Sequence, residues 1–343
     1  MARPLITERA PSGSAGSSFP EPGGEAAQWL GQLPAALRRA SPPPLPALYE
    51  GTLRAHFADL AALPRPSWPG ASLAQRAAGL AGLSALHPQQ PQPTVQGALE
   101  VLHDVARALA ALTGLDRFSL QPPSLAVARR AAVRLAIVSF ARTQPGRTEV
   151  VAASGSPVLA DARELGLPAR EAPRLATGDV NLEALEAAVG QATALVATSW
   201  LTPARRLDRN LAAAGHVAHA HGALLGVDAT GLGQLAGHTR LREAEADITW
   251  LCLGELCPAA TGAALGVRSP LTQYLPRPLV GKERGGYVLD DELPGSIGPL
   301  ALTAGRLADA LPIYVLLRTL GEAGVRLRAS ELAKALAPGG QQL

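Results

Sequence analysis

The apolar positions of the chain fall into two rhythms. Short, mainly apolar runs at 148–153, 194–198, 223–227 and 248–253 are bounded by glycine or polar residues, and they predict buried strands. Stretches at 45–63, 98–113, 125–141, 158–166, 211–221 and 314–320 repeat apolar residues at helical spacing and predict helices. The punctuation agrees. Thr94 is placed to cap the helix at 98–113, Gln96 lies in its first turn, and Gly114 supplies its stop. Asn181 is placed to cap another helix, and Gly166 ends the one at 158–166. Strands alternating with helices of this length predict an α/β fold, with a mostly parallel sheet between helix layers. Residues 1–44, rich in Pro, Gly and Ser, read as a flexible arm, 45–335 as one large domain, and 336–343 as a frayed tail.

The rest is arranged around residues 222–266. Two strands there are separated by a helix-length excursion, and the second is followed by a Gly/Ala-rich turn. The first strand ends on Asp228 and the second on Gly254 and Glu255. A charged residue just past a buried parallel strand lies at the carboxyl edge of the sheet, where open α/β sheets keep their sites.

Composition narrows the classes. Hydrophobic residues make up 47% but aromatics only 3%, so Leu, Ala and Val must fill the core, which suits helices on a sheet better than a β-sandwich. The net charge of +3 is small and its arginines are scattered, which excludes a nucleic-acid surface. Only Lys282 and Lys334 carry ε-amines. Cys252 and Cys257 make neither a disulfide framework nor a zinc site and read as buried small hydrophobes. His216, His219 and His221 do not share one helix face, so the histidine helix reads as a surface helix and no metal is expected. Residues 1–15 lack the apolar core of a signal peptide and no run suits a membrane span, so the expected location is the cytoplasm.

Particular segments carry a family resemblance. Residues 247–257, DITWLCLGELC, are similar to D-V-x-H-L-N-L-H-K-T-F. Residues 86–97, LHPQQPQPTVQG, are similar to L-H-P-x-Q-P-x-x-T-V-Q-G. FSLQP at 118–122, PRPLV at 276–280, GYVLD at 286–290 and SIG at 296–298 recur at the family's spacing. The chain resembles fold-type I pyridoxal-phosphate enzymes, and more closely subunit 2 of glycine dehydrogenase (decarboxylating), the P-protein of the glycine cleavage system. The resemblance covers roughly 45–335, with the C-terminal small domain of the family largely missing.

In that family the strand after residue 247 leads to the lysine that holds pyridoxal phosphate, and the matching residue here is Glu255. Asp228 matches the acid beside the cofactor's pyridine nitrogen and is the one cofactor-binding candidate. The glycine turn that receives the phosphate corresponds to residues 125–129, LAVAR, where Arg129 and Arg130 supply positive charge or merely begin a solvated helix. The ring-stacking His has no counterpart in 154–159, SGSPVL. The loop L-G-S-C-T-M-K corresponds to 69–75, PGASLAQ. The resemblance thus implies a degenerate relative with no catalytic residue of its own and no cofactor, acting as a structural or regulatory partner of a P-protein-type subunit. Two alternatives stay open: a working pyridoxal-phosphate subunit that passes aminomethyl groups to a lipoyl carrier protein, and a repurposed pocket using Asp228 and Glu255 as an acid–base pair.

Overall fold

The computed structural model describes residues 71–80, 83 and 90–336. The predicted arm at 1–44 and the helix at 45–63 lie outside the described residues, and so does the tail expected at 336–343 apart from Leu336, which is the last residue of the final helix.

Seven strands form one sheet in the order β1-β7-β6-β5-β4-β2-β3. They are β1 (Arg117–Ser119), β2 (Glu149–Ala153), β3 (Ala169–Ala172), β4 (Thr193–Ser199), β5 (Leu224–Asp228), β6 (Ile248–Cys252) and β7 (Ala263–Val267). β3, β2, β4, β5 and β6 pair in parallel, and β7 runs antiparallel between β6 and β1. The expected Gly/Ala-rich turn is therefore largely strand β7. Its small side chains suit a fully covered position, and Gly266 leaves room for the Phe118 ring, which a Cβ there would meet at 2.2 Å.

The helices are α1 (Ala71–Ala78), α2 (Gln96–Thr113), α3 (Leu125–Phe140), α4 (Val158–Glu164), α5 (Leu182–Ala188), α6 (Leu211–Ala220), α7 (Leu232–Leu235) and α8 (Leu307–Leu336). Period-two alternation along the strands splits the core into two faces. Leu195, Ile248 and Leu265 pack with Ala128, Ala132 and Val133 of α3 and Val158 of α4. Val196, Val227 and Leu251 pack with Leu109 of α2, Ala214 of α6 and Leu311 of α8. The alanines of α3 let it approach the sheet closely. Trp200 and Trp250 are fully buried, and Trp250 lies over Gly226, where a Cβ would come within 2.9 Å of the indole.

Several local expectations are corrected. The excursion between β5 and β6 is no single helix but the short α7 and a 3-10 turn at Leu241–Ala244. Thr94 does not cap α2: its hydroxyl donates to the Pro91 carbonyl at 2.7 Å, and Val95 is the N-cap with no side-chain bond. Residues 71–75, expected as loop, belong to α1, which buries Leu73 and Ala74 against α8. The helix at 314–320 is part of the longer α8, which runs on past an interruption at Gly321 (φ 61°, ψ −175°). Gly114 (φ 75°) and Asn181, whose side chain accepts from the Ala184 N–H, end and cap their helices as expected.

A two-stranded hairpin, β8 (Leu279–Glu283) and β9 (Gly286–Asp290), packs on α2. The motif glutamines fasten it. Gln96 accepts from the Tyr287 N–H at 2.8 Å and donates to its carbonyl at 2.8 Å, and Gln92 accepts from the Leu289 N–H at 3.1 Å. Gln121 of the FSLQP segment donates to Pro278 O at 2.8 Å and accepts from Leu300 N at 2.9 Å. The recurring motifs are thus bonded to one another across long sequence separations.

Candidate functional site at the carboxyl edge of the sheet

Parallel pairing places Ser199 and Asp228, the last residues of β4 and β5, beside Trp250 in the middle of β6. Asp228 is half-buried. Its Oδ1 accepts from the Thr230 N–H at 2.8 Å and from the Thr230 hydroxyl at 2.5 Å. The carboxylate therefore closes the turn that leads into α7, a local Asx turn. The Asp228 carbonyl accepts from the Trp200 N–H at 2.9 Å, which fixes the neighbouring loop.

α3 begins beside this edge. Ser124 caps it, accepting from the Val127 N–H at 3.4 Å. The sequence reading passed over Ser124, although a serine directly before an apolar run is a cap signal. The Arg129 side chain is largely covered, whereas 48% of the Arg130 side chain is exposed. Both donate to Asp161, whose side chain is 3% exposed, and Arg130 also donates to Glu164. The hydrogen bond and charges of Asp161 and Glu164 raise the pKa of Arg130 above the ordinary arginine range. These arginines bind α3 to α4.

Glu255 ends a 3-10 turn, Leu253–Glu255, directly after β6. A Cβ at Gly233 of α7 would lie 2.4 Å from the Glu255 carbonyl oxygen and 3.5 Å from Leu332 of α8. The Glu255 segment is thus wedged against α7 and α8. Arg328 of α8 is buried there. Burial lowers its pKa to about 10, against the opposing charges of Cys257 and Glu255. Cys257 is buried as expected and burial raises its thiol pKa, whereas Cys252 is only partly covered.

Both lysines are exposed. Lys282 is exposed near the end of β8, its ammonium 5.4 Å from the Tyr287 ring centre. Lys334 is exposed on α8 and pairs with Glu331 at 2.9 Å. Among the described residues no group of three or more His, Cys, Asp or Glu is arranged to hold a metal ion. His219 departs from the expected surface helix. It is partly buried, with Nε2 2.7 Å from Asp247 and Nδ1 3.1 Å from Glu245, at the opposite edge of the sheet.

Sequence reasoning missed Asp208. Its buried carboxylate accepts from the Val180 N–H at 3.2 Å, the Asn210 N–H at 3.0 Å and Arg174 at 3.2 Å, tying together the loops that follow β3 and β4. Burial raises its pKa in spite of these partners. No periodic signal marks such a residue, because two of its partners, Val180 and Arg174, lie far away in the chain.

The residues present do not fit pyridoxal phosphate held as an imine. Glu255 has no amine, Lys282 sits beside the Tyr287 ring and Lys334 pairs with Glu331. Arg129 and Arg130, at and beside the segment matched to the phosphate turn, pair with Asp161.

No protein-family model matches the chain. Among curated proteins, it is 32% identical over 354 residues to the probable glycine dehydrogenase (decarboxylating) subunit 2 of Thermococcus onnurineus (strain NA1), covering 96% of this chain and 70% of that protein. It is 30% identical over 354 residues to the protein of the same description from Methylococcus capsulatus (strain ATCC 33009 / NCIMB 11132 / Bath), covering 96% of this chain and 71% of that one. Among solved structures, glycine decarboxylase (P-protein) of the glycine cleavage system, in inhibitor-bound form, superposes with a TM-score of 0.60 at 23% identity over 74% of this chain. The chain spans 60% of the length of that structure. The sheet order, the flanking helices and this superposition make the architecture that of the fold-type I pyridoxal-phosphate enzymes. Taken with its identity to the curated relatives, the chain belongs to the glycine dehydrogenase (decarboxylating) subunit 2 family.

Proposed function

We propose that this chain is a non-catalytic member of its family, one that keeps the fold and serves as a structural or regulatory partner of a P-protein-type subunit in the cytoplasm. In this reading it neither decarboxylates glycine nor passes aminomethyl groups to a lipoyl carrier protein by itself, and it carries no cofactor. The observation that supports it is Glu255, the residue set by motif match against the family's lysine, in a chain whose two lysines lie elsewhere. A carboxylate cannot form the covalent link on which the family chemistry depends. Asp228, the remaining candidate for cofactor contact, has a sufficient role in closing its own turn.

The test is a visible absorbance spectrum of the purified full chain incubated with pyridoxal phosphate, before and after borohydride. The expected result is no protein-bound band that borohydride makes permanent. A permanent band would mean that a lysine has been recruited and would overturn the proposal in favour of a working subunit. Exchange of the glycine carboxyl carbon, assayed with a competent partner subunit and lipoyl carrier, supplies a second readout. The expected exchange requires the partner's own active site and is absent with this chain alone.

A further inference from the structure

His219, near the end of α6, has a carboxylate at each ring nitrogen. Nε2 lies 2.7 Å from Asp247 Oδ2, and Nδ1 lies 3.1 Å from Glu245 Oε2. Among the described residues no other histidine is held in this way. Asp247 stands directly before β6, at the amino edge of the sheet, and its side chain is 6% exposed. The same Oδ2 accepts from the Leu225 N–H at 2.8 Å, and Oδ1 accepts from Arg268. One carboxylate therefore joins α6, β5 and the residue after β7. Glu245 holds a left-handed backbone (φ 58°), which is strained for a residue with a Cβ. α6 is pressed onto this turn: a Cβ at Gly215 would lie 2.6 Å from the Ala244 carbonyl oxygen.

A neutral imidazole has one N–H and one bare nitrogen, and an ionised carboxylate can only accept. Both carboxylates are satisfied together only when the ring donates from both nitrogens. The extra proton does not sit on the acids. Asp247 already accepts from Arg268 and Leu225, and the hydrogen bond from His219 holds Glu245 below the usual carboxylate range. α6 packs on β4, β5, α5 and the 3-10 turn at Leu241–Ala244. The charged groups of those elements face elsewhere: Arg242 pairs with Asp116, Glu243 accepts from Thr239, Glu186 faces His221, Glu183 is exposed, and Asp228 closes the far end of β5. On α6 itself His216, which is exposed, lies 3.4 Å from Glu245 Oε2.

We infer that His219 is a doubly protonated latch between α6 and the entry to β6, and that loss of one ring proton releases Glu245 and the left-handed turn it occupies. Glu245 is the contact that opens, because its side chain is 41% exposed and can turn to water, whereas Asp247 is covered and keeps the remaining ring N–H. A proton held in the folded chain and shed on unfolding gives stability that is present at lower pH and declines as pH rises and the ring gives that proton up. The sheet thus carries a pH-sensitive joint at the edge opposite the candidate site.

The test is nitrogen-15 NMR of the His219 ring and of the Glu245 and Ala246 amides in the full chain, across the range in which histidine titrates. Both ring nitrogens are expected to be protonated at the acid end, and the two amides to shift with the same midpoint as the ring. Glu245→Gln places a side-chain N–H where a bare ring nitrogen can accept it. The ring is then expected to lose its second proton at lower pH than in the unmodified chain, and the decline of the urea midpoint with rising pH to flatten. Glu243→Gln removes a neighbouring charge that does not touch the ring and is expected to move the ring titration less. A ring that never carries two protons, amides that do not follow it, or a titration unmoved by Glu245→Gln or moved equally by Glu243→Gln would overturn the inference. If Glu245→Gln does not fold, the ring and amide titrations of the unmodified chain decide.

Discussion

At the scale of single residues, two kinds of position carry most of the consequence. The first is a glycine whose missing side chain is another residue's space. At Gly266 of β7, a Cβ would lie 2.2 Å from the ring of its β1 partner Phe118, which is 3% exposed. Gly266→Ala should therefore destabilise the chain by about 1–3 kcal/mol through overpacking, read as a lower urea midpoint at unchanged slope. The second is a buried charge with several obligations. Arg174 and Asp208 have side chains 10% and 0% exposed. Asp208→Ala would leave Arg174 without that partner and two backbone N–H groups unbonded. A loss of roughly 3–5 kcal/mol is expected. Asp208→Asn should cost less, since the amide oxygen can still accept.

At the scale of elements, the hairpin β8–β9 is the clearest case of a part secured from outside itself. Two strands alone are marginal in water. Here Gln92, in the turn before α2, and Gln96, at its start, supply bonds to the backbone of β9, and Arg117 of β1 pairs with Asp290 at 3.0 Å. Gln96→Ala should free the Tyr287 N–H and carbonyl and speed hydrogen exchange across Leu279–Asp290, while exchange in β4 and β5 stays slow. Equal acceleration in the central sheet would show that the clamp is not local. The same glutamine is prominent in the motif, so its role in this chain has a sufficient packing explanation.

At the scale of the whole molecule, acid stability follows from where carboxylates are held. The Thr177 hydroxyl at 2.7 Å and the Arg209 N–H at 3.1 Å lower the Asp179 pKa below the usual carboxylate range, and a hydrogen bond from His219 does the same for the exposed Glu245. A carboxylate with a depressed folded value contributes stability that is present above its unfolded value. That stability is lost as pH falls through the folded value. Asp208 acts in the opposite sense, since burial raises its pKa: its share is present at low pH and declines as pH rises through the raised value. The urea midpoint should thus fall below about pH 4, and Asp179→Asn should make that fall shallower. An unchanged acid limb in the variant would remove Asp179 from the account.

The sequence by itself determined the layered α/β architecture. Apolar strand runs such as 194–198, amphipathic helices such as α2 and stops such as Gly114 are local signals, and burial on a sheet face demands them wherever the chain goes. It also determined which residues stand at the strand ends, because Asp228 and Glu255 follow their runs directly in the chain. What those residues do was decided only by the tertiary structure. Asp228 turns to Thr230, Arg129 and Arg130 to Asp161, and the Glu255 loop to α7 and α8. The strand β7 was read as a turn because small residues signal loops locally, yet suit a fully covered strand once both neighbours exist. A polar side chain's partner is set by whichever donors the fold brings within about 3 Å, and periodicity along the chain contains no record of that distance.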